Sequence, residues 1–560
     1  MKSSAAIFTI LCCWNLYAQP SITQPLITPR GIVNAASLIA PGLPNAAIAR
    51  GSLFSLFGQR VGPAAGISAS AFPLGTTLSG VSIKVTQGTA SVDAIPVFVS
   101  ANQINAIMPS NAPLGMAAVV VTANSQRSFA YPVQVVNSSP GIFAINSAGL
   151  GPGVFQNFID AGNQPINSLL SPATPGQVIT MWATGLGPVN YADNISPSAG
   201  DLPTQVEIFV GGKLAPKLYS GRAPCCSSTD QIVFQVPLDV PLGCWVPVMV
   251  RTEGKNSSNA ATMAISSDGS ACSEPGNALA SQLLNSGKMG VLGLIRVNEA
   301  RTTGRFRLDA TFDYSSLSFR KEAATPFSFN PLIALPPPGS CTVYSGSLDR
   351  FRGPNAMFTD PGGSYLDGGT AYSMLTPRTS KTLQLSKANP FSISTLGLSI
   401  PTFQLPIKLP LVLDPGNYSL SGAGGLDVGQ VRASFTMIGG LTWTNREQTS
   451  NVVRAQGLTV NWTGAPAGQT VLIIGHSIDI PNNVKALFLC TAAGTAAGSF
   501  TVPPAILGAL PVSKTSLLQS RGMVYVGSAP VSSPQPFSAT GLDLGAVLSL
   551  QLSGKDVRFQ

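Results

Sequence analysis

The sequence predicts an all-β protein built from tandem immunoglobulin-like β-sandwich modules. Three observations predict it: apolar residues recur in short alternating runs, turn residues separate those runs, and one order of motifs occurs twice. The chain has 560 residues with 44% hydrophobic content, so several cores can be buried. Only 10% of residues are charged, while Gly numbers 57 and Pro 46. A chain this rich in Gly and Pro would read as disordered if Val, Ile, Leu and Phe were scarce, and they are not.

Residues 1–18 read as a signal peptide. Lys2 supplies a positive start, Ala5 to Leu16 is apolar, and cleavage is expected after Ala18. The apolar run is shorter than the roughly 20 residues a transmembrane helix needs. No later stretch is long enough either, so no transmembrane segment is expected in the mature chain, which should be secreted or held at the cell surface.

The formal net charge is +9, spread thinly. The densest basic run, Arg301 to Arg307 with Arg320 and Lys321, is broken by Asp309, Asp313 and Glu322. Nucleic-acid binding needs a basic face with stacking aromatics, so no nucleic-acid partner is expected.

The repeat organises the first half. Gly51-Ser-Leu-Phe-Ser-Leu-Phe-Gly58, closed by Gly62-Pro63, returns as Gly176-Gln-Val-Ile-Thr-Met-Trp-Ala183, closed by Gly187-Pro188. Val81-Ser-Ile-Lys-Val85 returns as Val206-Glu-Ile-Phe-Val210, and Gln103 to Pro109 returns as Gln231 to Pro237. The third match sits three residues further on, which places an insertion before it. Each unit has the size of one sandwich domain, roughly 100 residues. The units are assigned to residues 31–138 and 139–268.

These blocks carry a resemblance. Val33-Asn-Ala-Ala-Ser37, Gly51 to Gly58, Gln103 to Pro109 and Ala183-Thr-Gly-Leu-Gly-Pro-Val189 resemble the uncharacterised Solibacter-type C-terminal domain family of secreted acidobacterial proteins, which is similar to the IPT/TIG immunoglobulin-like modules. The resemblance covers residues 31–268. It implies export and a β-sandwich, and it supplies no catalytic residue.

The second half is also β-rich. Gly425-Leu-Asp-Val-Gly429 recurs as Gly541-Leu-Asp-Leu-Gly545, each before a strand-like run, and Gly457 to Gly464 opens another strand. This divides the half into sandwich-like modules at 285–440 and 441–560. Asn277 to Gly287 reads as a linker or short helix, and Pro336 to Pro338 as a stiff loop.

Chemistry is sparse. Val471-Leu-Ile-Ile-Gly-His-Ser-Ile-Asp479 resembles a strand leading to a nucleophile elbow, but Asp479 replaces the closing glycine and Pro481 stands where a helix should run. His476 is the sole histidine, so Ser477 lacks an imidazole base elsewhere. A strand running into a turn is the better reading. One His and no Cys-x-x-Cys leave no metal site expected, and no phosphate-binding loop is found. Asp309 and Asp313 share a strand about 13 Å apart, beyond the roughly 5–9.5 Å of paired glycosidase carboxylates. No catalytic, cofactor-binding or metal residues are assigned.

Trp182 and Trp245 lie in repeat strands and read as core. Trp443 and Trp462 are the candidates for stacking on a ligand. The expected function is therefore non-catalytic: adhesion or ligand binding, with extracellular polysaccharide or cell-surface components as candidate partners, through loops at module ends. The competing readings are a secreted polysaccharide hydrolase with accessory modules and a purely structural spacer.

Six cysteines remain after the leader: Cys225, Cys226, Cys244, Cys272, Cys341 and Cys490. Cys244 begins the second strand of a hairpin, and the next strand returns toward it, bringing Cys272 near. Cys225 and Cys226 then lie roughly 20 Å away, beyond the ~7 Å that a bridge tolerates. The expected pairing is Cys244–Cys272, a strained vicinal Cys225–Cys226 ring and, by elimination, Cys341–Cys490. The alternative joins Cys225 and Cys226 to Cys244 and Cys272.

Overall fold

The computed structural model describes residues 24–303, 305–348, 363–377, 379–389, 392–400, 409–493, 496–515 and 521–560. The signal peptide expected at residues 1–18 lies outside them. The chain is all-β, with its first two modules built as two-layer β-sandwiches, and the α-helices among the described residues are the short Ala280–Asn285 and Pro504–Leu507.

In the first module, one layer runs in the order Leu26–Asn34, Leu53–Gln59, Gln103–Ile107 and Ala90–Val99. The last of these crosses into the second layer, Val81–Gln87, Gly115–Ala123 and Tyr131–Val136, through an irregularity between Pro96 and Phe98. Proline cannot donate to a ladder, which suits the point where the strand changes layer. Period-two patterning sets the faces: Val81, Ile83 and Val85 are buried while Ser82 and Lys84 are not. Phe54, Leu56 and Ile104 meet Ile83, Val119 and Val121 in the core between layers.

The second module repeats this plan. Val178–Thr184 pairs Asp230–Gln235 as Leu53–Gln59 pairs Gln103–Ile107. Val206–Val210 pairs Gly243–Thr252 as Val81–Gln87 pairs Gly115–Ala123. The layer-crossing strand is here cut in two, Lys213–Ala215 and Lys217–Arg222, with Pro216 between. The loop 223–229 after Arg222, longer than the 100–102 turn of the first module, carries Cys225 and Cys226.

The second half corrects the expected boundary at 440. One sheet runs through both proposed modules: Cys341–Ser347, Val484–Ala493, Thr470–Asp479, Gly522–Ala529, Leu544–Asp556, Lys288–Thr303, Phe306–Lys321, Ser392–Ser399, Thr379–Asn389, Ala371–Thr376, Gly416–Gly422, Val431–Met437. Its centre is a parallel pair, Met289 to Ala300 against Leu544 to Lys555. Such a pair is joined by a long connection and leaves no hairpin signal in the sequence. The sheet curls until Arg432 bridges Ser538, around Leu292, Leu317, Tyr372, Met374, Phe435 and Phe537. The two Gly-Leu-Asp copies meet there: Gly429 N–H donates to Thr540 O, Asp427 accepts from Asp367 N–H, and Asp543 accepts from Lys288 N–H. The small sheet Thr442–Trp443, Leu458–Thr463 and Ala497–Val502 covers the other end, over Val471, Ile473 and Phe488.

All parts interlock. Ile39 and Leu43, from the first module, enter the core beneath that small sheet. Cys244 and Trp245 of the second module pack with Leu279 and Leu283 near the helix and with Met289 and Tyr344 of the large sheet. In this seam Glu274 accepts from Cys244 N–H, and burial pushes its carboxyl up to about 7 against that hydrogen bond. The folded protein thus holds a proton that the unfolded chain releases near its ordinary value of 4.5. This group's contribution is complete below that value, falls as pH rises toward 7, and is lost above it. Glu274→Gln keeps an acceptor without the charge. It is expected to stabilise the protein at pH 8 by on the order of 3 kcal/mol, with the gain vanishing near pH 4. Urea midpoints at both pH values check this, and a gain of equal size at both would refute the cause.

Candidate functional site

Residues in and beside the motifs quoted above converge on the junction between the first two modules. Asn34 is buried, accepts from Ala36 and Ser37 N–H, and donates to Ser139 O across the junction. Thr184 Oγ accepts from Leu53 N–H and donates to Ser228 O. Leu186 N–H donates to Asp230. Gly185 has φ +101°, and a Cβ there would strike Ser139 O, so the position requires glycine.

Arg222 and Asp230 form a buried ion pair at the centre, 3% and 0% exposed. Arg222 Nη2 also donates to Gly51 O of the first module and Gly187 O of the second, each at 2.6 Å. Burial pushes the Asp230 carboxyl up, against the pull of Arg222 and the Leu186 and Gly185 N–H groups. A buried guanidinium held by a carboxylate and by carbonyls of both modules is a junction pin.

From this pin a tongue, residues 188–203, reaches over the first module. Asp193 accepts from Ser110 N–H and Ser110 Oγ, both at 2.7 Å, and Val189 N–H donates to Ser110 Oγ at 2.9 Å. Asn194 exchanges hydrogen bonds with the Leu74 backbone, and Ser227 Oγ, beside the vicinal disulfide, donates to Asp193 O. The tongue bounds two clefts. One, of about 600 Å³, is walled by Thr76, Ser91, Asp93 and Asn111 of the first module. The other, of about 510 Å³, holds Ser198, Asp201 and Leu202 over Arg222. Asn190 and Tyr191 line both. A third groove, of about 750 Å³, lies on the C-terminal sheet over Ser373, Ser421 and Arg432, and no aromatic residue lines it.

The residues singled out from sequence lie elsewhere. Trp443 and Trp462 are 4% and 3% exposed, directly opposite each other on paired strands, and belong to the core. This corrects their reading as ligand-stacking residues: the small sheet turns both rings onto the large sheet. Trp245 is buried with its indole N–H on Ser328 O, and half-buried Trp182 donates to Gln156. His476 and Ser477 sit inside the strand Thr470–Asp479, paired on both sides, and Ser477 Oγ donates to Pro511 O. No elbow forms there. Asp313 is buried and held by Arg296 and by the Val412 and Leu413 N–H groups, whereas exposed Asp309 pairs with Arg307. Among the described residues no group of three or more His, Cys, Asp or Glu is placed to hold a metal ion.

The disulfides are Cys225–Cys226, Cys244–Cys272 and Cys341–Cys490, with Cα separations of 3.8, 5.5 and 4.0 Å. Gly243 pairs with Ile265, so the strand Ala261–Ile265 does return to the Cys244 end.

Sequence reasoning missed the tongue because its residues carry no periodic pattern. The available signal was the length of the segment between Gly187-Pro188 and Val206, with Tyr191 in it.

No family model matches the sequence, and no curated protein matches it. Among solved structures, titin domains A168–A170 are 8% identical over 69% of this chain and 92% of that one, with a TM-score of 0.13. Domains 5–6 of the S-layer protein SbsC are 9% identical over 44% of this chain and 100% of that one, at 0.15. The E. coli alpha-2-macroglobulin is 10% identical over 89% of this chain and 28% of that one, at 0.12. TM-scores this low support no functional inference.

Proposed function

We propose that this chain is an exported, non-catalytic protein of the cell surface or matrix that binds an extracellular ligand, polysaccharide in the first instance, at the junction of its first two modules. The observation that carries this reading is the pair of clefts about a tongue clamped at both modules. A rigid scaffold presenting polar loop residues is suited to binding, because little ordering entropy is lost when a ligand enters. Three disulfides support an oxidising compartment. Among the described residues no helix is long and apolar enough to cross a membrane.

The test is a glycan array and polysaccharide pull-down with the mature protein. Saturable retention without release of reducing ends is expected. Release of reducing ends would replace this reading with a hydrolase, and absence of any retention would leave a spacer.

A further inference from the structure

We infer that the two tongue clefts form one continuous binding site for a neutral glycan chain, with the Tyr191 ring as the platform over which the chain crosses. This rests on the binding function proposed above and names its ligand class and central residue.

The two clefts share part of their lining. Asn190 and Tyr191 belong to both clefts, so a ligand leaving the Ser91–Asn111 side meets the tyrosine before it reaches the Ser198–Asp201 side. Each cleft falls within the roughly 300–1,000 Å³ range of small-ligand sites. Together they suit a linear chain of several sugar units better than a single compact molecule.

The chemical class follows from charge and polarity. Thr76, Ser91, Asn111, Asn190 and Ser198 supply hydroxyl and amide groups, the complement of a polyhydroxylated ligand. The charged lining residues are Asp93, Asp193, Asp201 and Arg222. Arg222 is committed to Asp230 and two carbonyls, so it offers no cation to a uronate or sulfate. Asp93 is paired with Lys84 at 2.8 Å, Asp201 lies 3.7 Å from Lys217, and Asp193 is held by the backbone and hydroxyl of Ser110. An acidic polymer would meet carboxylates here with no cation in the lining left to receive it.

Tyr191 is suited to the platform role. It is half-buried, and its hydroxyl accepts from Ser198 N–H at 3.3 Å, which fixes the ring. An aromatic face presents apolar area to the C–H face of a pyranose at low entropic cost, while its rim stays polar.

The experiment is titration calorimetry of the mature protein with cello-, xylo- and manno-oligosaccharides of increasing length, with alginate oligosaccharides as the acidic comparison. Affinity for at least one neutral series is expected to rise with length and then level off. Tyr191→Ala should weaken it about tenfold, and Tyr191→Phe should keep most of it. Near-ultraviolet circular dichroism and melting temperature confirm that both variants are folded. Neutral-glycan binding that Tyr191→Ala leaves intact would overturn the assigned site while sparing the binding function. Preference for alginate would overturn the ligand class. Binding to none of these and to nothing on the array would overturn both the site and the function.

Discussion

Replacing Cys341 and Cys490 together by Ala is expected to lower the stability of the protein by up to about 5 kcal/mol. The bridge joins residues 149 apart in sequence, so its loss frees a long loop in the unfolded chain. In the folded state both cysteines are buried and lie opposite each other on paired strands, with Val343 and Phe488 in the same core. The strands between them in sequence include most of the curled part of the large sheet. The comparison variant removes Cys225 and Cys226, which are adjacent, exposed and close no loop of consequence. It should change stability by less than about 0.5 kcal/mol. Denaturant midpoints of the two double variants check the contrast, and equal losses would mean that loop closure is not the source.

Arg222→Met is expected to cost about 3–5 kcal/mol, because it leaves the Asp230 carboxylate buried without its cation. Adding Asp230→Asn should recover much of that loss, since an amide oxygen still accepts from Leu186 N–H. The cost has a sign in pH. Burial already pushes the Asp230 carboxyl up, and without Arg222 it rises further, so protonation relieves the single variant in acid. The penalty should therefore be smaller near pH 5 than near pH 8. Melting at the two pH values measures it, and a pH-independent penalty would point to lost packing rather than a stranded charge. The same variant removes the donor to Gly51 O and Gly187 O, so the tongue should become more susceptible to proteolysis.

The candidate site was only partly legible. The carbonyls that receive its pin lie in duplicated motifs, whereas Arg222 and Asp230 lie outside them. Gly51 and Gly187 were both visible as repeat positions. Their role was not, because a repeat shows that two segments do the same thing without showing what they touch. The tongue was invisible for a different reason. Asp193 and Asn194 are ordinary loop residues whose partners, Ser110 and Leu74, become neighbours only when the modules dock. Trp443 and Trp462 misled because an aromatic residue on a short strand looks the same in sequence whether its ring faces a ligand or a second layer.

By itself the sequence determined the all-β class, the repeat in the first half and the hairpin with its returning strand in the second repeat. Alternation writes each strand's buried face at every second residue, turn residues mark its ends, and the hairpin returns that bring Cys272 to Cys244 are local. Only the tertiary structure decided that one sheet runs across the boundary expected at 440. Lys288–Thr303 takes Leu544–Asp556 as its parallel neighbour across some 255 residues, as the contact between Lys288 and Asp543 records. No local rule selects that partner. It is chosen by burying both faces of the long strands at once, against the curled part of the sheet on one side and the helix and second module on the other, and that gain exists only when the whole chain is in place.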